Sequence, residues 1–482
     1  MKILLYKPND LMVSEEESTH NLSEYDSVFP YSLAVVGSVL RGRGHNVIGL
    51  DPRPEKINFE ETMAAIERIA PDAIVINVSI TAIDLDFCGI KKIKEKLGCK
   101  IIALVCLGFE EEAMRRYPEI DVLIRREWGY AVADALLAVE RGLPLREVKG
   151  IYFWENGNVI KTEAREHIHL EDTPLPAFDL FPVKKYDHYQ ILMTAGCSHH
   201  CLFCHFGRYP LSGWEHKSAE RAIQEIKEFK KFGNKFFRIL DNELTLGKDF
   251  AKALLRRIIE EKIDFVFDVN IRASTIDDEL AGLLVKAGCL SVGYGVESGV
   301  QNILDLNLKE LTLNQILECQ RILDGRKIYS RAYCLIGLRG DTRETILETF
   351  RFIREDLKSK DASFDIVVPY PDTAFHTFLK QNGLIKNFTI DNLIWIYKNI
   401  YNWKNLRDTV GVKPEWRIGD LTFDDLLRMN KEYYHLVPHG NDRRKLYFMF
   451  VRHPLFTAQQ MLRIFTSPGS VLQRVKNIIL NK

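Results

Sequence analysis

The segment TAGCSHHCLFCHFG, residues Thr194 to Gly207, holds three of the nine cysteines in this 482-residue chain. Cys197, Cys201 and Cys204 lie within eight residues, at positions i, i+4 and i+7, directly after a predicted strand. Cysteine thiolates are the usual ligands of iron–sulfur clusters. Three of them in one loop predict a [4Fe–4S] cluster in which one iron stays open for a substrate or cofactor.

Two other interpretations of this loop are a zinc site and incidental thiols. Zinc sites usually combine two C-x₂-C pairs or a matching Cys/His set, and His199, His200 and His205 offer imidazoles in the same loop. Incidental buried thiols would explain an isolated pair better than three cysteines between a strand and a helix. We therefore favour the iron–sulfur cluster.

Composition limits the class of protein. The chain is long enough for two or three domains, and 46% of its residues are hydrophobic. Lys plus Arg and Asp plus Glu are equal at 66 each, so no global charge attracts nucleic acid. The start, MKILLYKPND, has no long apolar segment of a secretory signal. We expect a cytoplasmic protein without nucleic-acid partners, whose cysteines stay reduced.

The first 145 residues alternate short apolar strands with helix-like segments. Nearly uninterrupted Ile, Val and Leu strands between helices are typical of a parallel, doubly wound sheet. Ligands of such sheets bind beyond the carboxyl ends of the strands. We therefore predict an α/β domain over residues 1–145. Its predicted strands are Lys2–Tyr6, Asn46–Asp51, Ala73–Ser79, Lys100–Cys106 and Val122–Arg125.

Residues 146–185 interrupt this alternation with a predicted hairpin, turning at Asn156-Gly157, and a proline-containing linker. Residues 186–387 then repeat six strand–helix units, which predicts a partial (β/α)₆ TIM-like barrel. Residues 388–482 lack the strand pattern and are predicted to be a mostly helical substrate or lid region, in which we assign no catalytic residue. The six predicted barrel strands are Tyr189–Thr194, Lys235–Asp241, Asp264–Asn270, Leu290–Val296, Tyr329–Ile336 and Ser363–Pro369.

The spacing C-x₃-C-x-Φ-C, with Phe203 before the third cysteine, resembles the signature of the radical SAM enzymes. Later segments resemble the strand ends of that family in the same order: ILDNELTL, NIRAS, VGYGVESG, LIGLRGDTRET and VVPYPDTAF. Arg339 and Asp341 stand where the family usually has proline and glutamate. The residues that the resemblance places near S-adenosylmethionine (SAM) are Asp241, Asn242, Arg272, Glu297, Ser298 and Gly337.

This resemblance implies a radical mechanism. The open iron would bind the amino and carboxylate groups of SAM. An electron from an external reductant, such as flavodoxin or ferredoxin, would then cleave SAM to a 5′-deoxyadenosyl radical. That radical removes hydrogen from an unreactive carbon of a small-molecule substrate.

The first domain resembles the cobalamin-binding domain of a subgroup of these enzymes, the class B methyltransferase-like and magnesium-protoporphyrin monomethyl ester cyclase-like group. FPYSLAVVGSVLRGRGHNVIGLD, PDAIVINVSI and VLIRREWGYAVADAL carry the likeness. It implies cobalamin contacts at Ser79, Thr81 and Gly108. LVCLGFEEEAM replaces the usual Gly-Gly-x-x-x-T turn, and without a D-x-H-x-x-G motif we expect no histidine below the cobalt.

The function that these features predict is cobalamin-dependent C-methylation by a radical SAM methyltransferase. The alternative is radical cyclisation or carbon–carbon coupling, on a lipid for example, with a vestigial cobalamin domain. A third hypothesis is a non-catalytic iron–sulfur or cobalamin sensor. Methylthio transfer is rejected because Cys88, Cys99 and Cys106 suit helix or strand interiors better than a second cluster.

The last fifty residues combine basic and large apolar side chains, as in RKLYFMFVRHPLF and VLQRVKNIIL. Such helices can lie on a membrane surface, which would suit a lipid-like substrate and peripheral membrane contact. The alternative is a helix that covers the open bottom of the barrel.

Overall fold

The computed structural model describes residues 1–8, 27–78, 83–105, 108–205, 213–233, 236–400 and 411–433. They divide into two units. The first contains Ser27–Asp187 and Asn387–Glu415 with the N-terminal strand, and the second contains His188–Lys386 and continues from Trp416.

The first unit is built on a seven-stranded sheet of order β2-β1-β3-β4-β5-β6-β7. Strands β1 to β5 are parallel, as predicted, because their side chains are buried between helices on both faces. The predicted hairpin β6–β7 extends this sheet by antiparallel pairing with β5. The strands are β1 Lys2–Tyr6, β2 Asn46–Leu50, β3 Ala73–Asn77, β4 Lys100–Leu104, β5 Val122–Ile124, β6 Ile151–Glu155 and β7 Asn158–Lys161.

Local signals in the sequence set the limits of the helices in this unit. The Asn58 side chain caps α3 by accepting a hydrogen bond from Glu61 N, and the Glu61 side chain accepts one from Asn58 N. Gly142 ends α6 in the left-handed region, with φ of 65°. The helices are α1 Tyr31–Gly42, α2 Pro52–Glu55, α3 Phe59–Ile69, α4 Ile83–Leu97, α5 Glu110–Arg116 and α6 Trp128–Arg141.

The hairpin turn and the linker also follow the sequence. Asn156 and Gly157 both have positive φ, 49° and 77°, as the tight hairpin turn requires. The linker packs on the first sheet: a Cβ at Gly49 would lie 2.4 Å from the Leu180 carbonyl oxygen. Glycine in β2 therefore allows the linker to lie against the strand.

The second unit contains a six-stranded parallel sheet of order β15-β14-β13-β12-β11-β8. Its edge strands β8 and β15 are not paired with each other, so the described barrel is open, as predicted. Strands β9 and β10 form a small antiparallel pair beside it. The strands are β8 His188–Ile191, β9 Thr194–Gly196, β10 Trp214–His216, β11 Phe236–Ile239, β12 Val266–Ile271, β13 Cys289–Glu297, β14 Tyr329–Ile336 and β15 Ala362–Ile366.

Helices follow the barrel strands. Their N-termini carry the expected caps, such as Thr312 and Thr342, each in a capping box. In β13, Val292, Tyr294 and Val296 are almost fully buried, whereas Ser291 and Gly295 are partly exposed. The helices are α7 Ala219–Lys230, α8 Lys248–Glu260, α9 Asp278–Ala287, α10 Gln301–Leu306, α11 Leu313–Gly325, α12 Arg343–Arg351 and α13 Ala374–Gln381.

The chain after the barrel contributes to both units. Helix α14, Ile390–Asn399, belongs to the first unit, where Ile390 N donates a hydrogen bond to Glu112. The short strands β16 Arg417–Ile418 and β17 Leu421–Thr422 and helix α15 Phe423–Tyr433 belong to the second. The domain bounds predicted from the sequence, at residues 145, 185 and 387, are not tested by this division into two units and remain predictions.

The basic, apolar tail from residue 434 onward lies outside the described residues, so its membrane role stays a prediction. Within the described part of the chain, no helix combines the length and the hydropathy needed to cross a bilayer.

Candidate cofactor site

The cysteine loop begins where β9 ends, at the carboxyl side of the barrel. Gly196, with φ of 77°, comes just before Cys197 and turns the chain out of the strand. Cys197, Cys201 and Cys204 are half-buried and form no disulfide among the described residues, and Cys204 N donates to Cys201 O at 3.1 Å. Three thiols in one tight loop are a donor set that fits an iron–sulfur cluster.

Two other segments of the second unit hold this loop in place. Leu202 N donates to Asn307 O at 3.0 Å, and Leu202 O accepts from Phe375 N at 2.9 Å. The fully buried Asn307 also bonds to the backbone of Arg339 through both ends of its amide, at 2.9 and 3.2 Å. Asn307 therefore connects the cysteine loop to the turn after β14.

A buried ion pair lies close to the loop. Lys309 Nζ is 2.6 Å from Glu297 Oε1, and each residue is only 8% exposed. Burial acts to lower the pKa of Lys309, but the Glu297 carboxylate and Cys201 together outweigh it, so the pKa is raised. Burial likewise raises the pKa of the Cys201 thiol, while the cations of Lys309 and Arg272 favour its thiolate.

Arg272 completes this charged group. It directly follows β12 and is 7% exposed. Its Nη2 donates to the backbone oxygens of Lys309 and Glu310, the latter at 2.8 Å. Its Nε is buried and has no hydrogen-bond partner among the described residues. The end of β12, the end of β13 and the segment before α11 thus place two cations and one carboxylate beside Cys201.

The backbone at Glu297 is arranged for this contact. Glu297 has φ of 64°, in the left-handed region that is costly for residues other than glycine. A Cβ at Gly295 would lie 2.2 Å from Glu297 Oε1 and 2.7 Å from Lys309 Nζ. Only glycine at position 295 leaves room for the ion pair as it stands.

Asp241 and Asn242 differ in environment. Asp241 is 1% exposed and accepts a hydrogen bond from Met193 N at 2.7 Å through Oδ1, whereas its Oδ2 has no partner among the described residues. Burial raises the pKa of Asp241 to about 7, although the Met193 amide opposes the shift. Asn242 is exposed. Contact of either residue with SAM remains a prediction.

Ser298 and Gly337 have structural partners. Ser298 Oγ lies 3.1 Å from Thr349 Oγ1 and accepts from Val300 N at 3.2 Å. Gly337 has φ of 84°, and its N donates to Asp341 Oδ2 at 2.9 Å. Burial raises the pKa of Asp341 to about 6. Both residues fix turns after their strands, and a role in SAM binding stays a prediction.

Sequence reasoning missed several residues of this site. Lys309 and Asn307 lie in a loop between helices, where no strand end drew attention to them. Glu243 is 5% exposed and accepts from Thr245 N at 3.1 Å, and burial raises its pKa. In the sequence these three residues are marked only as polar residues near apolar ones. That pattern is not specific for a cofactor site.

The carboxyl edge of the first sheet has its own polar group. Gly108, with φ of 77°, donates its N–H to Glu110 Oε1 at 2.9 Å. Glu110 is 3% exposed, and its Oε1 also lies 3.2 Å from Arg125 Nε. Ser79 and Thr81 lie outside the described residues. Cobalamin contacts at these three positions therefore stay predictions.

An open six-stranded parallel barrel with three cysteines on the loop after its first strands defines a class of iron–sulfur cofactor enzymes. Residues 191–353 match the family model of the Radical SAM superfamily. These residues therefore form a radical SAM domain, and such a domain implies a [4Fe–4S] cluster and SAM as cofactors.

Relatives agree with this assignment. An uncharacterized methyltransferase of Pyrococcus horikoshii is 27% identical over 367 residues, which are 74% of this chain and 79% of the relative. The anaerobic magnesium-protoporphyrin IX monomethyl ester cyclase of Cereibacter sphaeroides is 23% identical over 367 residues, covering 72% of this chain and 59% of the cyclase.

Two solved structures share the fold. The radical S-adenosylmethionine methyltransferase TsrM of Kitasatospora setae, with cobalamin and a [4Fe–4S] cluster bound, has a TM-score of 0.67 at 16% identity and covers 80% of this chain and 76% of its own. The cobalamin-dependent S-adenosylmethionine radical enzyme OxsB, with aqua-cobalamin and SAM bound, has a TM-score of 0.63 at 17% identity. The match covers 90% of this chain and 61% of the OxsB chain.

Proposed function

We propose that this protein is a cobalamin-dependent radical SAM methyltransferase that methylates an unactivated carbon of a small molecule. The observation that carries the proposal is the group of Cys197, Cys201 and Cys204 beside Arg272 and the Glu297–Lys309 pair. The methyltransferase relative and the methyltransferase TsrM support the choice of methyl transfer, and the cobalamin bound in TsrM and OxsB supports cobalamin as the cofactor.

The three cysteine thiolates would hold the cluster, which supplies the electron for the reductive cleavage of SAM when it is bound. An external one-electron reductant, such as flavodoxin or ferredoxin, has to provide that electron. Burial raises the pKa of the Cys201 thiol, and the cations of Lys309 and Arg272 oppose that rise. Half-burial of all three thiols limits the access of water to the site.

Arg272 and Glu297 are the residues we propose for the amino-acid end of SAM. The buried Nε of Arg272 lacks a partner among the described residues, and guanidinium groups pair well with carboxylates. Glu297 offers a carboxylate for an ammonium group, and at present it shares that carboxylate with Lys309. An Arg272→Gln variant should lose about 1–3 kcal/mol of SAM binding energy, measured by calorimetry.

The control for this measurement is Arg321→Gln, since Arg321 is an exposed arginine of α11 that pairs with Glu318. Arg272→Gln should keep wild-type iron content while its SAM affinity falls, and Arg321→Gln should change neither. Equal SAM affinity of wild type, Arg272→Gln and Arg321→Gln would show that Arg272 does not bind SAM.

Cobalamin is proposed for the carboxyl edge of the first sheet, where ligands of doubly wound sheets bind. When bound, it would supply the methyl group. The left-handed Gly108 brings backbone close to that edge. Purification with hydroxocobalamin should leave about one corrinoid per chain, in line with single-site binding. If no corrinoid is bound after cobalamin-rich expression, the domain is vestigial.

The second candidate is radical cyclisation or carbon–carbon coupling without cobalamin. The cyclase relative favours it, and so does the Gly108 amide, which is already bonded to the buried Glu110 carboxylate. The products of SAM separate the candidates without knowledge of the substrate. Methyl transfer to cobalamin leaves S-adenosylhomocysteine, whereas reductive cleavage leaves 5′-deoxyadenosine and methionine.

With reductant and cobalamin present, the methyltransferase proposal expects both S-adenosylhomocysteine and 5′-deoxyadenosine. The cyclisation or coupling candidate expects 5′-deoxyadenosine alone. A non-catalytic sensor would form neither product at a rate above that of the buffer with reductant.

A further inference from the structure

The inner face of the barrel strands is polar and open in its middle. Arg238, Asn270, Arg331 and Tyr333 are exposed although all four lie within strands. In closed TIM barrels the same positions form a packed core of branched side chains. Here they line a cavity of about 400 Å³, a volume within the range of small-molecule sites.

The strand register places these side chains on one face. Arg238 is opposite Asp268, Asn270 is opposite Gly293, and Gly293 is opposite Arg331. Because neighbouring residues in register share a face of the sheet, the polar side chains converge on the cavity.

The two arginines of the cavity differ in their partners. Arg331 Nε lies 3.0 Å from Asp361 Oδ2, which also accepts a hydrogen bond from Tyr329 at 2.6 Å. Arg238 makes no ion pair or hydrogen bond with any residue in the described ranges, even though Asp268 is its register partner. With respect to these ranges, the donors of the Arg238 guanidinium are therefore available to a ligand in the cavity.

Gly293 makes the space in which the neighbouring side chains meet. A Cβ at this position would lie 2.5 Å from both Asn270 Oδ1 and the Tyr333 hydroxyl oxygen. Tyr333 is 36% exposed, and the burial of the rest of its side chain raises its pKa; the nearby Asp268 and Asp361 add to the shift while Arg331 and Arg238 oppose it. The Tyr333 hydroxyl thus stays protonated at neutral pH and can donate a hydrogen bond.

We propose that this cavity binds the carboxylate or phosphate group of the small-molecule substrate, with Arg238 as the residue that binds the anion and Asn270 and Tyr333 as its hydrogen-bonding neighbours. Arginine suits this role because its planar guanidinium meets both kinds of anion with two parallel hydrogen bonds. The assignment of the ligand as substrate rests on the proposed function.

The position of the cavity also limits the shape of the substrate. Gly293 and Glu297 are four residues apart on β13, which spans at most about 13 Å because the strand is irregular between Gly295 and Glu297. The anionic group would therefore lie up to about 13 Å from the end of the barrel where the cysteine loop begins. An elongated molecule with its reacting carbon remote from its acidic group fits this geometry.

Calorimetric titration of the reconstituted full-length protein tests the proposal, with benzoate and phenyl phosphate as probes and benzyl alcohol as the neutral control. Wild type should bind at least one anionic probe with a stoichiometry of one and should not bind benzyl alcohol measurably. Arg238→Gln should weaken the binding at least tenfold, about 1.4 kcal/mol. Gly293→Ala should also weaken it, because the added Cβ would displace the polar atoms of Asn270 and Tyr333, each 2.5 Å away. The matched control is Arg321→Gln, which should bind like wild type.

Equal affinity of wild type and Arg238→Gln for the anions would overturn the proposal, as would no binding of either anion at millimolar concentration. Benzoate and phenyl phosphate distinguish a carboxylate site from a phosphate site. SAM cleavage by wild type, measured on the same preparation, reports separately on the proposed function, because anion binding does not require turnover.

Discussion

Lys309 and Glu297 form a buried ion pair, with Nζ 2.6 Å from Oε1, and Gly295 is the residue that leaves room for it. One partner ends β13 and the other precedes α11. The pair therefore joins a barrel strand to the loop that also holds Asn307, the anchor of the cysteine loop.

Replacing Lys309 with methionine should destabilise the protein strongly. The substitution leaves the Glu297 carboxylate buried without its cation, which typically costs about 3–5 kcal/mol. Urea unfolding of wild type and Lys309→Met measures this difference.

The double variant Glu297→Gln/Lys309→Met provides the control, because it removes both charges. It should be more stable than Lys309→Met alone, since no unpaired charge remains. The free energy of unfolding lost in the double variant is compared with the sum of the losses in Glu297→Gln and Lys309→Met alone. If the two values are equal, the two residues do not interact energetically.

Gly295→Ala should weaken SAM binding while iron content stays at the wild-type level. The added Cβ meets Glu297 Oε1 and Lys309 Nζ at 2.2 and 2.7 Å, so the pair has to move. We expect at least a tenfold loss of SAM affinity, about 1.4 kcal/mol. Gly325→Ala is the matched control, because a Cβ there meets nothing within 4 Å. Identical SAM affinities in Gly295→Ala and Gly325→Ala would contradict a contact between Glu297 and SAM.

Asp241 should make stability depend on pH. Its pKa is raised to about 7 in the folded protein, against 3.8 for an ordinary aspartate. The folded state therefore keeps a proton that the unfolded chain releases, and stability falls as pH rises through this window. Asp241→Asn removes this pH dependence. The melting temperature of Asp241→Asn minus that of wild type should therefore increase from about pH 5 to about pH 8.

The shift of about 3 units sets an upper limit of about 4 kcal/mol on this change, at 1.36 kcal/mol per unit. Asp249, an acidic residue exposed in the first turn of α8, serves as the control in Asp249→Asn. A constant difference between Asp241→Asn and wild type at all pH values would contradict a raised pKa.

The five parallel strands of the first unit and the six strands of the barrel could be predicted because each is a short apolar run between turn or capping signals. Lys2–Tyr6 and Tyr329–Ile336 agree with the structure at both ends. The hairpin was predicted from Asn156-Gly157, but not its place in the first sheet. Pairing of β6 with β5 is a long-range contact, and no local pattern specifies it.

The candidate site was predictable only where a motif marks it. The cysteine spacing and the strand-end positions of Arg272 and Glu297 are local features of sequence. Lys309 is recognisable as part of the site only after folding brings it 2.6 Å from Glu297. Asp241 shows the converse: its place at a strand end suggested ligand binding, and the structure gives Oδ1 to the Met193 amide.

The central claim is that Cys197, Cys201 and Cys204 hold a [4Fe–4S] cluster that cleaves SAM. The most direct measurement is iron and sulfide per chain, with SAM cleavage, after anaerobic reconstitution of wild type, the triple alanine variant and the control Cys99→Ala, which changes a half-buried thiol of the first unit. Wild type and control should bind about four irons per chain and form 5′-deoxyadenosine, and the triple variant should do neither. Wild-type levels of iron and sulfide in the triple variant would contradict the account.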